Sequence, residues 1–314
     1  MAVGRTIGGR LIHLIWIMFA VSFLTFLLMF LAPGDAAAKK LNAQGVAVSE
    51  EVLEQTRVSM GLDRPFLVQY GEWALRALRG DLGASYKDGF PVADKLVRAL
   101  GRTAVLTLSS LSLALLIALP LSVLSALKRD SVIDDVTRLF SFIGNSLPNF
   151  LISVLLMYFL SVRLRVLPLT ANESVQGLVM PCLALSIPIC GRFIRQFRAA
   201  ILEELGKPYV SGAILRGVRR RYVLKSVLHN VSIPMLTIVG LSVGTLLGGS
   251  VVIETIFRWP GLGKLAMDAI SNRDYPVIQG FVLLTSTVYV VINLLIDLCY
   301  RWIDPRLNES GGEA

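Results

Sequence analysis

The sequence predicts an all-α polytopic membrane protein, and three observations carry that prediction. Of the 314 residues, 54% are hydrophobic and only 17% charged, whereas a soluble domain is about a quarter charged. Six apolar runs reach the length of about 20 residues that a helix needs to cross a ~30 Å hydrocarbon core. The formal charge of +9 collects in short segments beside those runs, where lysine and arginine set membrane orientation. That placement argues against nucleic-acid binding as the reason for the charge.

The six expected spans are Leu11–Leu31, Thr103–Leu127, Val136–Leu160, Leu178–Phe197, Val231–Ile253 and Gly280–Tyr300. The fourth carries the weakest pattern, because Pro181 and Pro188 interrupt it. With the N-terminus inside, the cytoplasmic pieces hold sixteen Lys and Arg, nine of them between Arg192 and Lys225. The two short outer loops hold five: Arg163, Arg165, Arg258, Lys264 and Arg273. The bias predicts cytoplasmic termini and places 32–101 outside. The expected division is therefore 1–31 (tail and first helix), 32–101 (external helical insertion), 102–301 (five-helix core with a cytoplasmic loop at 199–229) and 302–314 (cytoplasmic tail).

The first run, followed by "DAAAKK", imitates a signal peptide with an Ala-x-Ala site. Its length of about 21 residues exceeds the usual signal core and favours a retained helix. In the insertion, "SEEVLEQTRVSMGL" reads as a helix with Ser49 at the N-cap and Gly61 near the stop. The following stretch spaces Phe66, Tyr70, Trp73, Leu75 and Leu78 helically. Two readings stand for it: a docking surface for an external partner, or a helical cap on the membrane domain.

Catalytic and metal chemistry find little support. His13 and His229 are the two histidines and form no ligand spacing; Cys182, Cys190 and Cys299 sit in or beside apolar runs as expected buried thiols. "GLGKL" at Gly261–Leu265 lacks the upstream glycine and the Ser or Thr of a phosphate loop. Ser250 has no histidine in a facing span to activate it. Glu254 and Asp297 lie near helix ends, where polar anchoring suits them better than proton coupling at the midplane. That and the lack of an internal repeat count against a secondary carrier. Gly240, Gly244 and Gly248 recur every fourth residue, so one helix face allows close packing along a pathway or subunit interface.

The densest charge lies in "SGAILRGVRRRYVLKSVLHNVSIP", with Arg216, Arg219, Arg220, Arg221 and Lys225. Val210, Ala213, Ile214, Val218, Tyr222 and Leu228 suggest a short amphipathic helix. Physical chemistry alone leaves it a lipid anchor or a docking site. "YVSGAILRGVRRRYVLKSVLHNVSIPML" resembles the cytoplasmic EAA loop of binding-protein-dependent ABC importer permeases. Ala213, Gly217, Asn230 and Pro234 stand at that pattern's alanine, glycine, asparagine and final proline. "GGSVVIETIFRWPGLGKLAMDAISNRDYPVIQGFVLL", "DLCYRWIDPRL", "GLDRPFLVQYGEWALRALRGDLGASY" and "FIGNSLPNFLISVLL" extend the resemblance, to the peptide/nickel branch, over nearly the whole chain.

The resemblance implies a type I importer permease fold and a non-catalytic subunit of the bacterial inner membrane, without a cofactor. A second homologous permease, two cytoplasmic ATPase subunits and an extracytoplasmic solute-binding protein would be its partners. The EAA loop would seat in the ATPase as a coupling helix through Ala213, Arg216, Gly217 and Val218. Ser211 and Gly212 depart from the pattern, so its glutamate contact does not transfer. "LNAQGVAVSEEVLEQTRVSMGLDRPFLVQY" and "SNRDYPVIQG" are most similar to nickel and nickel–metallophore permeases, with di- and oligopeptides as the alternative solute.

Overall fold

The structure, a computed structural model, describes residues 2–43, 49–171 and 174–303, with side chains over 15–41, 49–171 and 174–296. His13, Asp297, Cys299 and the tail 304–314 therefore lie outside the described residues or side chains. The helices are α1 (Ala2–Leu31), α2 (Ala36–Ala43), α3 (Glu50–Ser59), α4 (Phe66–Leu78), α5 (Val92–Leu127), α6 (Val132–Ser146), α7 (Asn149–Leu156), α8 (Val175–Leu205), α9 (Pro208–Leu215), α10 (Arg220–Phe257), α11 (Leu262–Asn272) and α12 (Tyr275–Ile303). Among the described residues the sole β feature is an isolated bridge between Ala84 and Pro91. α5, α8, α10 and α12 are long and apolar enough to cross a membrane; α6 with α7 makes a fifth, broken candidate, and Ile15–Leu31 is a shorter apolar helix.

Two compact units form, one from 1–102 and 260–291, the other from 103–259 and 292–314.

In the first unit, Ser49 caps α3 by accepting from Val52 N–H at 3.3 Å, as expected. Gly61, at φ +68°, closes the helix while Leu62 N–H reaches Arg57 O. α4 lies against α1. Phe66, Tyr70 and Trp73 meet Phe23, Phe26 and Phe30 through edge-on or tilted rings 5.2–6.4 Å apart. Each such pair contributes about 1 kcal/mol beyond its buried area. The Tyr70 and Ser22 hydroxyls sit 3.0 Å apart. These three aromatics are thus a cap on α1, whereas Leu75 and Leu78 stay exposed. The "DAAAKK" stretch opens α2, with Ala36 and Ala37 buried and Asp35 paired to Arg57 at 2.6 Å. The 81–91 turn is tied to the α11–α12 corner, where Asp274 accepts from the Ser85 hydroxyl and from Tyr86 N–H.

In the second unit α8 is the central element, its apolar stretch buried at Met180, Leu185, Ile189, Phe193 and Phe197 among others. It runs unbroken through Pro181 and Pro188, so the expected interruption does not occur. Packing against α6, α7 and α10 compensates for the backbone bonds that the prolines remove. The expected straight span Val136–Leu160 is instead corrected to α6 and α7, bent by 100°. Leu147, immediately before Pro148, is extended at φ −82°, ψ 129°, as the proline ring requires of its predecessor. α7 then continues as a π-helical segment, Met157–Arg163.

Candidate functional site: the basic segment between α8 and α10

The segment that drew attention in the sequence is two helices joined by a tight turn, not one amphipathic helix. α8 runs on to Leu205, and Lys207, in extended backbone, places Pro208 at the first turn of α9, where a missing N–H costs nothing. α9 ends in a Schellman closure: Gly217 N–H bonds Ile214 O at 2.9 Å and Val218 N–H bonds Ala213 O at 3.1 Å. Gly217 sits at φ +76°, and an added Cβ there would meet nothing within 4 Å. Glycine is therefore needed for backbone conformation and not for space. Arg219 then returns to extended backbone and α10 begins.

The base of α9 is anchored. Val210 is 2% exposed and joins Val223, Val227 and Val231 of α10 in the core. The buried Glu204 carboxylate accepts from Tyr209 Oη at 2.8 Å and Asn230 Nδ2 at 2.9 Å, and pairs with Lys207 Nζ at 2.6 Å. Hydrogen bonding to Glu204 raises Lys207 above its ordinary pKa, and partial burial together with the same carboxylate raises Tyr209. One buried acid thus ties the end of α8, the start of α9 and the first turns of α10. The sequence reading missed this network. Asn230, placed by the motif, was its one visible member.

The tip of the segment points the other way. Ile214 is 56% and Leu215 87% exposed, and Val218 and Tyr222 are exposed too. The expected apolar face is therefore buried only at Val210, with Ala213 and Leu228 half-buried. Arg216, Arg219, Arg220, Arg221 and Lys225 are all exposed around it. Arg221 lies over the Tyr222 ring at 4.7 Å, which keeps this guanidinium flat on the surface. Exposed apolar side chains ringed by cations are the pattern of an interaction site. Of the predicted coupling residues, Ala213 and Gly217 shape the turn, while Arg216 and Val218 are presented at its surface.

The glycine stripe separates. Gly240 is buried where a Cβ would fall 2.8 Å from Ile296 Cδ1 of α12, whereas Gly248 is exposed and meets nothing within 4 Å. Glu254 is buried and accepts from the Thr103 hydroxyl at 2.7 Å, a polar anchor as expected. Ser250 donates to Leu247 O of its own helix.

Long apolar helices and an exposed basic segment define a polytopic membrane protein. The profile of binding-protein-dependent transport system inner membrane components matches residues 118–309, and the corresponding N-terminal profile matches 4–107. The chain belongs to this family and is an inner-membrane permease subunit of a binding-protein-dependent ABC importer. It is 38% identical to a probable peptide ABC transporter permease of Sinorhizobium fredii, over 97% of this chain and 99% of that one. Identity is 35% to the metal-staphylopine import system permease of Staphylococcus aureus, covering 94% and 95%. It is 37% to a glutathione transport system permease of Escherichia coli, covering 95% and 97%. The fold resembles a chain of the inward-facing MetNI methionine ABC transporter, with TM-score 0.55 and 18% identity over 67% of this chain and 96% of that one.

Proposed function

We infer that the knob formed by α9 and the start of α10 is the element through which separate ATPase subunits drive this permease. The observation that carries the reading is a rigidly based, glycine-capped helix whose tip exposes Ile214, Leu215 and Val218 among five cations. The apolar tip supplies a buried anchor, and Arg216 with its neighbours steers the approach of an acidic groove. Six spans with cytoplasmic termini suit this role, because they put the knob on the ATPase side. A second, homologous permease completes the path, with Gly244 and Gly248 available for close packing, and an external binding protein delivers solute. The solute is a nickel–metallophore complex, as the sequence resemblance favours. The 38% identity to a peptide permease favours a second reading, a short peptide.

The test is to reconstitute the complete transporter with Gly217→Val. A β-branched residue in the left-handed region costs on the order of 1–3 kcal/mol, relieved by reshaping the turn. Solute uptake should fall at least about tenfold while ATP hydrolysis persists and helical content is unchanged. Undiminished uptake sinks the coupling role. Competing radiolabelled nickel, with and without metallophore, against a labelled dipeptide then assigns the solute.

A further inference from the structure

α4 has more apolar surface than α1 covers. Phe66, Tyr70 and Trp73 pack on α1, and Gln69, Glu72 and Arg76 make a polar side. Leu67, Gly71, Ala74, Leu75 and Leu78 recur at i, i+4, i+7, i+8 and i+11, an uncharged strip about 100° wide on a third side. Leu67 is 69%, Leu75 60% and Leu78 85% exposed, and a Cβ added at Gly71 would meet nothing within 4 Å. Exposed leucines gathered on one helix face mark a surface that another phase or molecule covers.

The contacts with α1 fix the depth of this strip. Phe66 and Tyr70 both touch Phe23 and Phe26, and Tyr70 also reaches Phe19 and the Ser22 hydroxyl. Phe26 and Phe23 lie five and eight residues before Leu31, where α1 ends. At 1.5 Å per residue that is about 8–12 Å in from the outer end. With α1 crossing the bilayer, α4 is level with hydrocarbon and not with water. Around that level α1 itself leaves Leu24 and Leu28 exposed.

The polar side of α4 points to the outer end. Gln69, Glu72 and Arg76 line a cavity together with Ala32, Gly34 and Asp35, the residues that follow α1. Glu72 pairs with Arg64, and Gln69 Nε2 donates to Arg64 O at 2.7 Å. By helical periodicity the leucine strip lies across the helix from that polar side, so it faces deeper along α1. A polar side outward and an apolar side toward the acyl chains are the disposition of a helix lying in the membrane interface. A soluble partner would have to enter the hydrocarbon to reach the strip.

We propose that α4 lies in the outer leaflet, with its Leu67, Leu75 and Leu78 strip covered by phospholipid acyl chains. The segment 32–101 is then not wholly external: it dips into the bilayer at α4 and is pinned there by the aromatic contacts with α1. The proposal rests on α1 being a span, as in the six-span reading above.

The test is spin labelling of the permease–ATPase complex reconstituted in phosphatidylcholine–phosphatidylglycerol vesicles. The variants Leu75→Cys, Leu78→Cys, Leu24→Cys and Glu51→Cys are made singly in a Cys299→Ala background, where Cys182 and Cys190 are buried. Collision of each nitroxide with oxygen, which concentrates in lipid, is compared with collision with chromium oxalate, which stays in water. In Leu75→Cys and Leu78→Cys oxygen should dominate severalfold, at a depth of about 5–10 Å. In Glu51→Cys, at an exposed position of α3, chromium oxalate should dominate. Leu67→Cys carries the same readout if either α4 variant fails to assemble. Dominance of chromium oxalate at the strip overturns the proposal, because the strip is then in water. So does protection from both reagents, because protein then covers it. Leu24→Cys separates these results from failure of the span itself. Lipid access there with water at the strip sinks the placement of α4 alone, whereas water at both sinks the α1 span as well. The Gly217→Val test stands in either case, because it reads α9 in the other unit.

Discussion

Arg198 meets Asp134 with two nitrogens, Nε to Oδ1 and Nη2 to Oδ2, both at 2.7 Å. Asp134 is completely buried and also accepts from the Ser125 hydroxyl and Asp130 N–H. The pair joins the end of α5, the start of α6 and the C-terminal part of α8. Replacing a buried pair with apolar groups is often neutral, but removing one partner strands a charge at about 3–5 kcal/mol. Arg198→Ala should therefore lower the Tm of the purified permease by several degrees, and Arg198→Ala with Asp134→Ala should recover part of the loss. A double variant no more stable than the single one rules out a stranded charge as the cause. Counting charge in the sequence enrolled Arg198 among the positive-inside residues. Nothing local separates an arginine at a headgroup from one paired across 64 positions.

Between helices, backbone meets backbone at glycines that no repeat announces. α6 crosses α8 where a Cβ on Gly191 would fall 2.7 Å from Ser141 O and one on Gly144 3.2 Å from Ile187 O. The Ser141 hydroxyl donates to Gly191 O at 2.5 Å across the same crossing. Gly191→Val has to push backbone from backbone, so it should cost about 2 kcal/mol or more, seen as lost expression and Tm. Gly248→Val should leave the isolated subunit's Tm unchanged and reduce co-purification of the second permease. Equal losses at both positions sink the assignment of Gly248 to a subunit interface. The sequence showed Gly240, Gly244 and Gly248 because their period is visible, while the pairing of Gly144 with Gly191 exists only after α6 and α8 dock. Features set by neighbouring residues were legible for the same reason, such as the Ser49 cap and the Gly61 stop, whereas the turn at Gly217 was hidden inside what reads as one amphipathic helix. The break at Leu147–Pro148 was not read, because the apolar run around it is long enough for one span. The continuity of α8 was not, because packing by three helices overrides the local cost of Pro181 and Pro188.

For the whole molecule, the distribution of charge decides how a partner is met. Arg216, Arg219, Arg220, Arg221 and Lys225 are exposed within one short stretch, while the apolar tip beside them contributes only after contact. Encounter with an acidic surface is then electrostatic, and exposed charges are screened over about 10 Å at 0.1 M salt and about 3 Å at 1 M. Association of purified ATPase with the permease, followed by stopped-flow fluorescence, should slow by about tenfold or more between low and high salt. Dissociation should change little, since Ile214, Leu215 and Val218 hold the docked state. Arg219→Gln with Arg220→Gln should flatten the salt dependence of the on-rate, and Leu215→Ala should raise the off-rate without altering it. A lipid-anchoring knob predicts the reverse. ATPase association would then ignore both sets of substitutions, and the arginine variants would weaken binding of the 206–230 segment to anionic vesicles.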